Sequence, residues 1–153
     1  MKNHINILRA TRKNYLKALE GVPVKLLNKV PEGFNNNLIW NAAHAVVTQQ
    51  LLCYSLAGLA SRLPGEIIEA YRKGSRPGKE IDQAAVEQIM EWLSAGPDWL
   101  EKDLAEQDFK NFREYPTSYG YTVSSIEDAI AFNNVHEGMH LGYIIALKKQ
   151  LKI

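Results

Sequence analysis

Cysteine is nearly absent from this chain, with one residue, Cys53, in 153. A lone thiol excludes an internal disulfide framework and fits a reducing compartment. An excess of charge of either sign is missing too. The net charge of +1 leaves no basic footprint of the kind nucleic-acid binding needs, so nucleic acid is not an expected partner. The first residues, Met1-Lys2-Asn3-His4-Ile5, form no apolar run resembling a secretory signal, and a cytoplasmic protein is expected. No segment alternates apolar and polar residues with a period of two, and neither repeats nor low-complexity tracts occur, which leaves little room for a sheet-rich or repeat architecture.

At 153 residues, 46% apolar and 23% charged, the chain has the size and composition of one ordinary globular domain, expected to span 1–153 and to bury a core without a staple. Ile5, Leu8, Arg12, Tyr15 and Leu19 follow helical spacing and predict an amphipathic first helix ending near Gly21 and Pro23. Val30 to Gly33 reads as a loop, and Asn35 to Asn37 offer caps for a second long helix over about Asn37–Ser61. That segment contains no Asp, Glu, Lys or Arg. Its polar residues, among them Asn41, His44, Thr48, Gln49 and Gln50, are too costly for a membrane span. Such a helix is expected to be buried on most faces, by its own bundle and by a second subunit, and a homodimer is the expected assembly.

A short helical turn over Glu66–Tyr71 precedes a Gly/Pro-rich loop carrying Arg72, Lys73, Arg76 and Lys79. The loop reads as a solvated turn region, with an anion-binding patch as the alternative. A third helix is expected from Asp82, kinked or broken at Gly96-Pro97 and restarting at Asp98. The aromatic stretch from Gln107 to Val123 predicts an ordered loop with a small hairpin. Ser124 and Glu127 form an expected capping box for a last helix carrying Ile126, Ala129, Ile130, Ile144 and Leu147. The fold class is therefore an all-α four-helix bundle.

Histidine is scarce as well, with four residues, and three of them carry the functional reading. His136 and His140 stand four apart, one turn on one helix face. They share a stripe with Ala129, Asn133, Tyr143 and Leu147, which points them inward. In the second helix, Trp40, His44, Val47, Leu51 and Tyr54 share a face, which also turns His44 to the interior. Histidines projecting from two helices into a bundle are a geometry that builds metal sites. Taken one at a time, each is more simply a buried neutral ring with a hydrogen bond. Taken together they form a nitrogen triad suited to zinc, nickel, copper or iron, with a fourth position free for water or substrate.

His136-Glu137-Gly138-Met139-His140 also spells the H-E-x-x-H of zinc proteases, with Glu137 as general base. Those sites usually draw a third ligand from downstream, and the residues after His140 include no Asp, Glu, His or Cys. Glu137 reads either as a rim base or metal-supporting residue or as a solvated position, and Asn133 either as a pocket residue or as a partner of a ligand. Trp40 and Tyr115, Tyr119 and Tyr121 are pocket candidates, with core cover as the plainer reading. Cys53, nine residues from His44, falls on the opposite side of the helix and reads as a core or interface thiol. Gly138 and Gly142 inside the last helix point to close packing against another helix or to room at a metal.

Trp40-x-x-x-His44 on a second helix, with His136-x-x-x-His140-x-Gly142-x-Ile144 on a last one, resembles the DinB-like superfamily of damage-inducible and YfiT-like four-helix bundles, and the likeness extends over essentially the whole chain. The resemblance implies an unusual helix connection order, a metal site between the second and last main helices, and frequent dimerisation. It implies His44, His136 and His140 as ligands of one divalent transition metal, zinc or nickel first. Relatives include transferases and isomerases that use low-molecular-weight thiols, and metal-dependent hydrolases. The implied activity is a metal-dependent transferase joining such a thiol to an electrophilic substrate. The alternatives are a metal-dependent hydrolase and a non-catalytic bundle with structural histidines.

Overall fold

A computed structural model describes all residues, Met1–Ile153. Six helices and one two-stranded hairpin occur in the order α1 (Lys2–Leu19), α2 (Val24–Asn28), α3 (Leu38–Cys53), α4 (Gly65–Tyr71), α5 (Gln83–Glu106), β1 (Tyr115–Pro116), β2 (Thr122–Val123) and α6 (Ile126–Leu151), with one 3-10 turn at Ser55–Ala57. The four long helices form the bundle. α1 packs on α5 and α6, and α3 packs on the same two, so α1 and α3 stand on one diagonal and α5 and α6 on the other. The first and third of the three connections between long helices, α1 to α3 and α5 to α6, therefore cross a diagonal, and the second, α3 to α5, joins neighbours. No helix is long and apolar enough to cross a membrane.

The apolar stripe of α1 buries Ile5, Leu8, Arg12, Tyr15 and Leu19, the residues its periodicity selects. α3 is buried at all but two of its sixteen positions, Thr48 and Leu51. Its own bundle thus accounts for its lack of charge, without a second subunit. The helix is shorter than its sequence implies: the chain tightens into the 3-10 turn and ends at Gly58, whose φ of 72° is a left-handed position suited to glycine.

α5 runs through Pro97 without a break, so of the expected kink or break the helix does not break, nor does it restart at Asp98. Gly96 and Pro97 are both buried there, and the Gln49 side chain of α3 donates to the Gly96 carbonyl at 3.0 Å. This tertiary packing outweighs the local cost of an interior proline, about 3 kcal/mol. Gly96 also supplies the space, since a Cβ at this position lies 2.8 Å from the Gln49 Oε1.

The hairpin pairs Tyr115 with Val123 and Pro116 with Thr122. The cap of α6 is one residue later than expected. Ser125, not Ser124, accepts from the Asp128 backbone N–H, while the Asp128 carboxylate accepts from the Ser124 N–H and hydroxyl and from Tyr121. These three donors hold the Asp128 carboxyl low, at about 2.

Two apolar clusters fill the bundle, one around Tyr15, Val47, Leu93 and Ile144 and the other around Leu8, Leu52, Leu100 and Ile130. Between them, in each of the four long helices, lies a polar or proline-bearing layer: Arg12, Gln49, Gly96-Pro97 and Glu137. Arg12 is 1% and Glu137 0% exposed. Their pairing is bidentate, at 2.8 and 2.6 Å, and Arg12 also donates to Gln49 Oε1 at 3.0 Å. The fork satisfies both carboxylate oxygens and offsets part of the cost of burying the two charges, while Arg12 Nη1 stays buried without a partner.

Candidate metal centre

α3 contributes His44, and α6 contributes His136 and His140. One nitrogen from each ring lies within 4.8 Å of the others, and the ring centroids are 4.5 to 5.0 Å apart. Nitrogens this near one another could be shared by one divalent cation, which His44, His136 and His140 would hold.

The proton positions follow from the partners. His44 Nδ1 lies 2.6 Å from the carbonyl oxygen of Tyr71. A carbonyl only accepts, so Nδ1 carries the proton and Nε2 keeps its lone pair. Tyr71 is the last residue of α4, where helix carbonyls lack intrahelical partners. The short helix thereby presents an acceptor to the ring.

His140 is oriented by a longer chain. Asn37 caps α3, accepting from the Trp40 N–H at 2.8 Å through its side chain. Its carbonyl accepts from Asn41 Nδ2 at 2.8 Å. That contact settles the Asn41 amide, so the Oδ1 faces His140 and accepts from its Nδ1 at 2.8 Å. His140 Nε2 is consequently the free nitrogen. His136 differs, for its Nδ1 is buried with no hydrogen-bond partner. Burial holds all three rings neutral: His44 is lowered, His140 is lowered to about 4, and His136 to about 3 with help from the neighbouring rings. Neutral nitrogens with preset tautomers and one orphaned ring atom suit a divalent transition metal.

The triad sits on the flank of the core, not at its centre. Glu137 holds the middle of the buried face of α6, and at about 100° per residue His136 and His140 fall toward the side that meets α3. There they line a cavity of about 580 Å³ together with Thr48, Leu51, Leu52, Ser55, Leu56 and Phe132. Residues of the loop 72–82 and of the hairpin-bearing segment 107–125 complete its lining, among them Lys73, Arg113, Tyr115 and Tyr119.

The other candidates separate. Trp40 stacks on His44 at 4.6 Å between centroids and donates to Ser75 at 3.2 Å, outside the cavity lining. Glu137 is neither a rim base nor solvated. Its carboxylate is spent on Arg12, and Asn133 is buried beside it, its Nδ2 3.4 Å from Glu137 Oε1. Tyr143 leaves the inward stripe. It is 46% exposed, with its ring edge-on to Phe34. Tyr121 is exposed and outside the cavity. Cys53 is fully buried and its thiol pushed up to about 12, which makes it a core residue. A Cβ on Gly138 or Gly142 meets nothing within 4 Å, so no helix of this chain packs on them and neither crowds the triad.

Sequence reasoning missed Asn41 and the Tyr71 carbonyl. The Asn37, Asn41 and His44 spacing, one helix face at i, i+4 and i+7, is the signal that points to Asn41. Nothing in the sequence points to the carbonyl.

No curated protein matches this chain. The family model of the DinB superfamily matches residues 7–144, and with this match over most of its length the chain belongs to that superfamily.

Proposed function

We propose that the protein is a metal-dependent transferase that joins a low-molecular-weight thiol to an electrophilic substrate. The observation that carries this reading is the placement of the three convergent nitrogens on the wall of a cavity and not in a closed core. A structural site is enclosed by its ligands, whereas a reactive one keeps an open position.

His44, His136 and His140 would hold the ion. A bound zinc or nickel ion supplies Lewis acidity, which favours the thiolate over the thiol at neutral pH. Tyr71 and Asn41 keep the Nδ1 protons of His44 and His140 in place, so each ring offers Nε2. Leu51, Leu52, Leu56 and Phe132 line the cavity and would limit water around the reacting sulfur. In the transfer, sulfur forms a bond to the electrophilic carbon, the leaving group departs with its electron pair, and the thiol proton passes to solvent.

Hydrolysis is the weaker reading on a specific ground. No Asp or Glu lines the cavity, and Glu137, which an H-E-x-x-H enzyme needs as its base, is tied to Arg12 in the core. A cavity without a carboxylate has no carboxylate general base for water.

The test is metal analysis and thiol conjugation on the same preparations. About one zinc or nickel ion per chain is expected, with loss of the ion in His140→Ala and metal-dependent conjugation of an electrophile such as 1-chloro-2,4-dinitrobenzene across a thiol panel. Full occupancy in His140→Ala would refute the site. A metal-loaded protein that consumes no thiol but cleaves esters or amides would refute the transferase.

A further inference from the structure

The cavity over the triad has a charge pattern that the metal reading does not use. Its sixteen lining residues include two cations, Lys73 and Arg113, and no carboxylate. Neither cation pairs with an acid anywhere in the chain, whereas Arg9, Arg12, Arg62 and Arg72 all do. Of the four cations in the Gly/Pro-rich loop, Arg72 is drawn off by Glu69 at 2.7 Å, and only Lys73 lines the cavity.

Two contacts build the cationic rim. Lys73 Nζ donates to Ser118 Oγ at 3.1 Å, joining the loop after α4 to the hairpin loop. The Arg113 backbone N–H donates to the Leu56 carbonyl at 2.7 Å, anchoring the second cation to the wall of the cavity. Its side chain takes no part in that bond. Leu51, Leu52, Leu56, Phe132 and Met139 make the apolar part of the lining, with Thr48 and Ser55 among them, and the volume of about 580 Å³ is that of a small-molecule site.

We propose that this cavity selects an amphipathic anion, a small molecule whose carboxylate or phosphate is held by Arg113 and Lys73 while its hydrocarbon part lies on Leu51, Leu56 and Phe132. The identification of the cavity with a substrate site rests on the transferase reading; the preference for an anion rests on the rim. Arg113 offers a planar fork and Lys73 a point charge. With no acid in the lining, an anion meets no carboxylate there, whereas a cationic ligand meets two like charges. Arg113 and Lys73 are thus specificity-determining residues.

The experiment is calorimetric titration of zinc-loaded protein with ω-mercaptocarboxylates of three to eight carbons, and with the matching ω-mercaptoalcohols and ω-mercaptoalkyl phosphates. The best carboxylate or phosphate is expected to bind about tenfold or more tightly than its alcohol, with the advantage shrinking at high salt. The carboxylate and phosphate arms decide which anion is preferred. In Arg113→Gln/Lys73→Gln the advantage of the anion over its own alcohol falls to about twofold or less. Both side chains are exposed, so the variant keeps its fold, which circular dichroism checks. Equal affinity for anion and alcohol in the native protein overturns the proposal, as does an advantage that survives the double substitution. The metal-free protein titrated with 4-phenylbutyrate and 4-phenylbutanol separates the two readings. A preference for the acid there upholds the cationic rim even where the metal assay fails, and its absence counts against the rim even where metal binds.

Discussion

Asn41 accepts a hydrogen bond from the Nδ1 of His140 at 2.8 Å while its own amide nitrogen is held by the Asn37 carbonyl at 2.8 Å. The cap of one helix thus sets the tautomer of a histidine on another. Substituting Asn41→Leu removes the acceptor and leaves His140 free to carry its proton on either nitrogen. Metal affinity is expected to fall by about 10- to 100-fold with all three histidines intact, measured by competition with a chelator. An unchanged affinity would show that the relay does not orient the ring.

Glu137 yields a prediction that separates its role from that of a protease base. Glu137→Gln leaves the Arg12 charge buried without its counter-ion, and unfolding in urea should show a loss of about 3–5 kcal/mol. Metal stoichiometry should not change. Replacing both partners with apolar residues, Arg12→Met with Glu137→Leu, should restore most of the lost stability.

The glycines of the long helices should respond with opposite signs. Gly96→Ala drives a Cβ to within 2.8 Å of Gln49 Oε1 and should cost about 1–3 kcal/mol. Gly138→Ala and Gly142→Ala place a Cβ in open space inside α6 and should each stabilise by about 0.5–1 kcal/mol. Thermal melts of the three variants check both signs.

Acid stability depends on Asp103, which is buried under Arg62 and Tyr54 at 2.5 and 2.7 Å. The Arg62 hydrogen bonds hold its carboxyl down at about 2, below its ordinary 3.8. A depressed carboxyl contributes stability above the unfolded value and loses it as pH falls, so this contribution is complete above about 4 and fades toward pH 2. Melting temperature followed from pH 6 to pH 2 should fall less steeply in Asp103→Asn than in the native protein, from a lower starting value.

Periodicity made the buried stripe of α1 legible residue by residue, because a surface helix writes its buried face as a spacing. The same reading on α6 set the face slightly wrong: it counted Tyr143 inward and left Glu137 outside. A carboxylate at the centre of a buried face looks like a solvated one until its partner is seen, and Arg12 is 125 residues away. Pro97 misled for a related reason, since proline's local cost is visible in sequence and the packing that offsets it is not.

By itself, then, the sequence determined the helical bundle, the two helices that bear the histidines and the spacing of His136 and His140, because these depend on side-chain type and local period. Only the tertiary structure decided that the triad lies on the flank of the core beside an open cavity, that Tyr71 and Asn41 preset the rings, and that Lys73 and Arg113 share a rim without an acid. Each of those facts joins segments distant in the chain, and no local pattern encodes such a meeting.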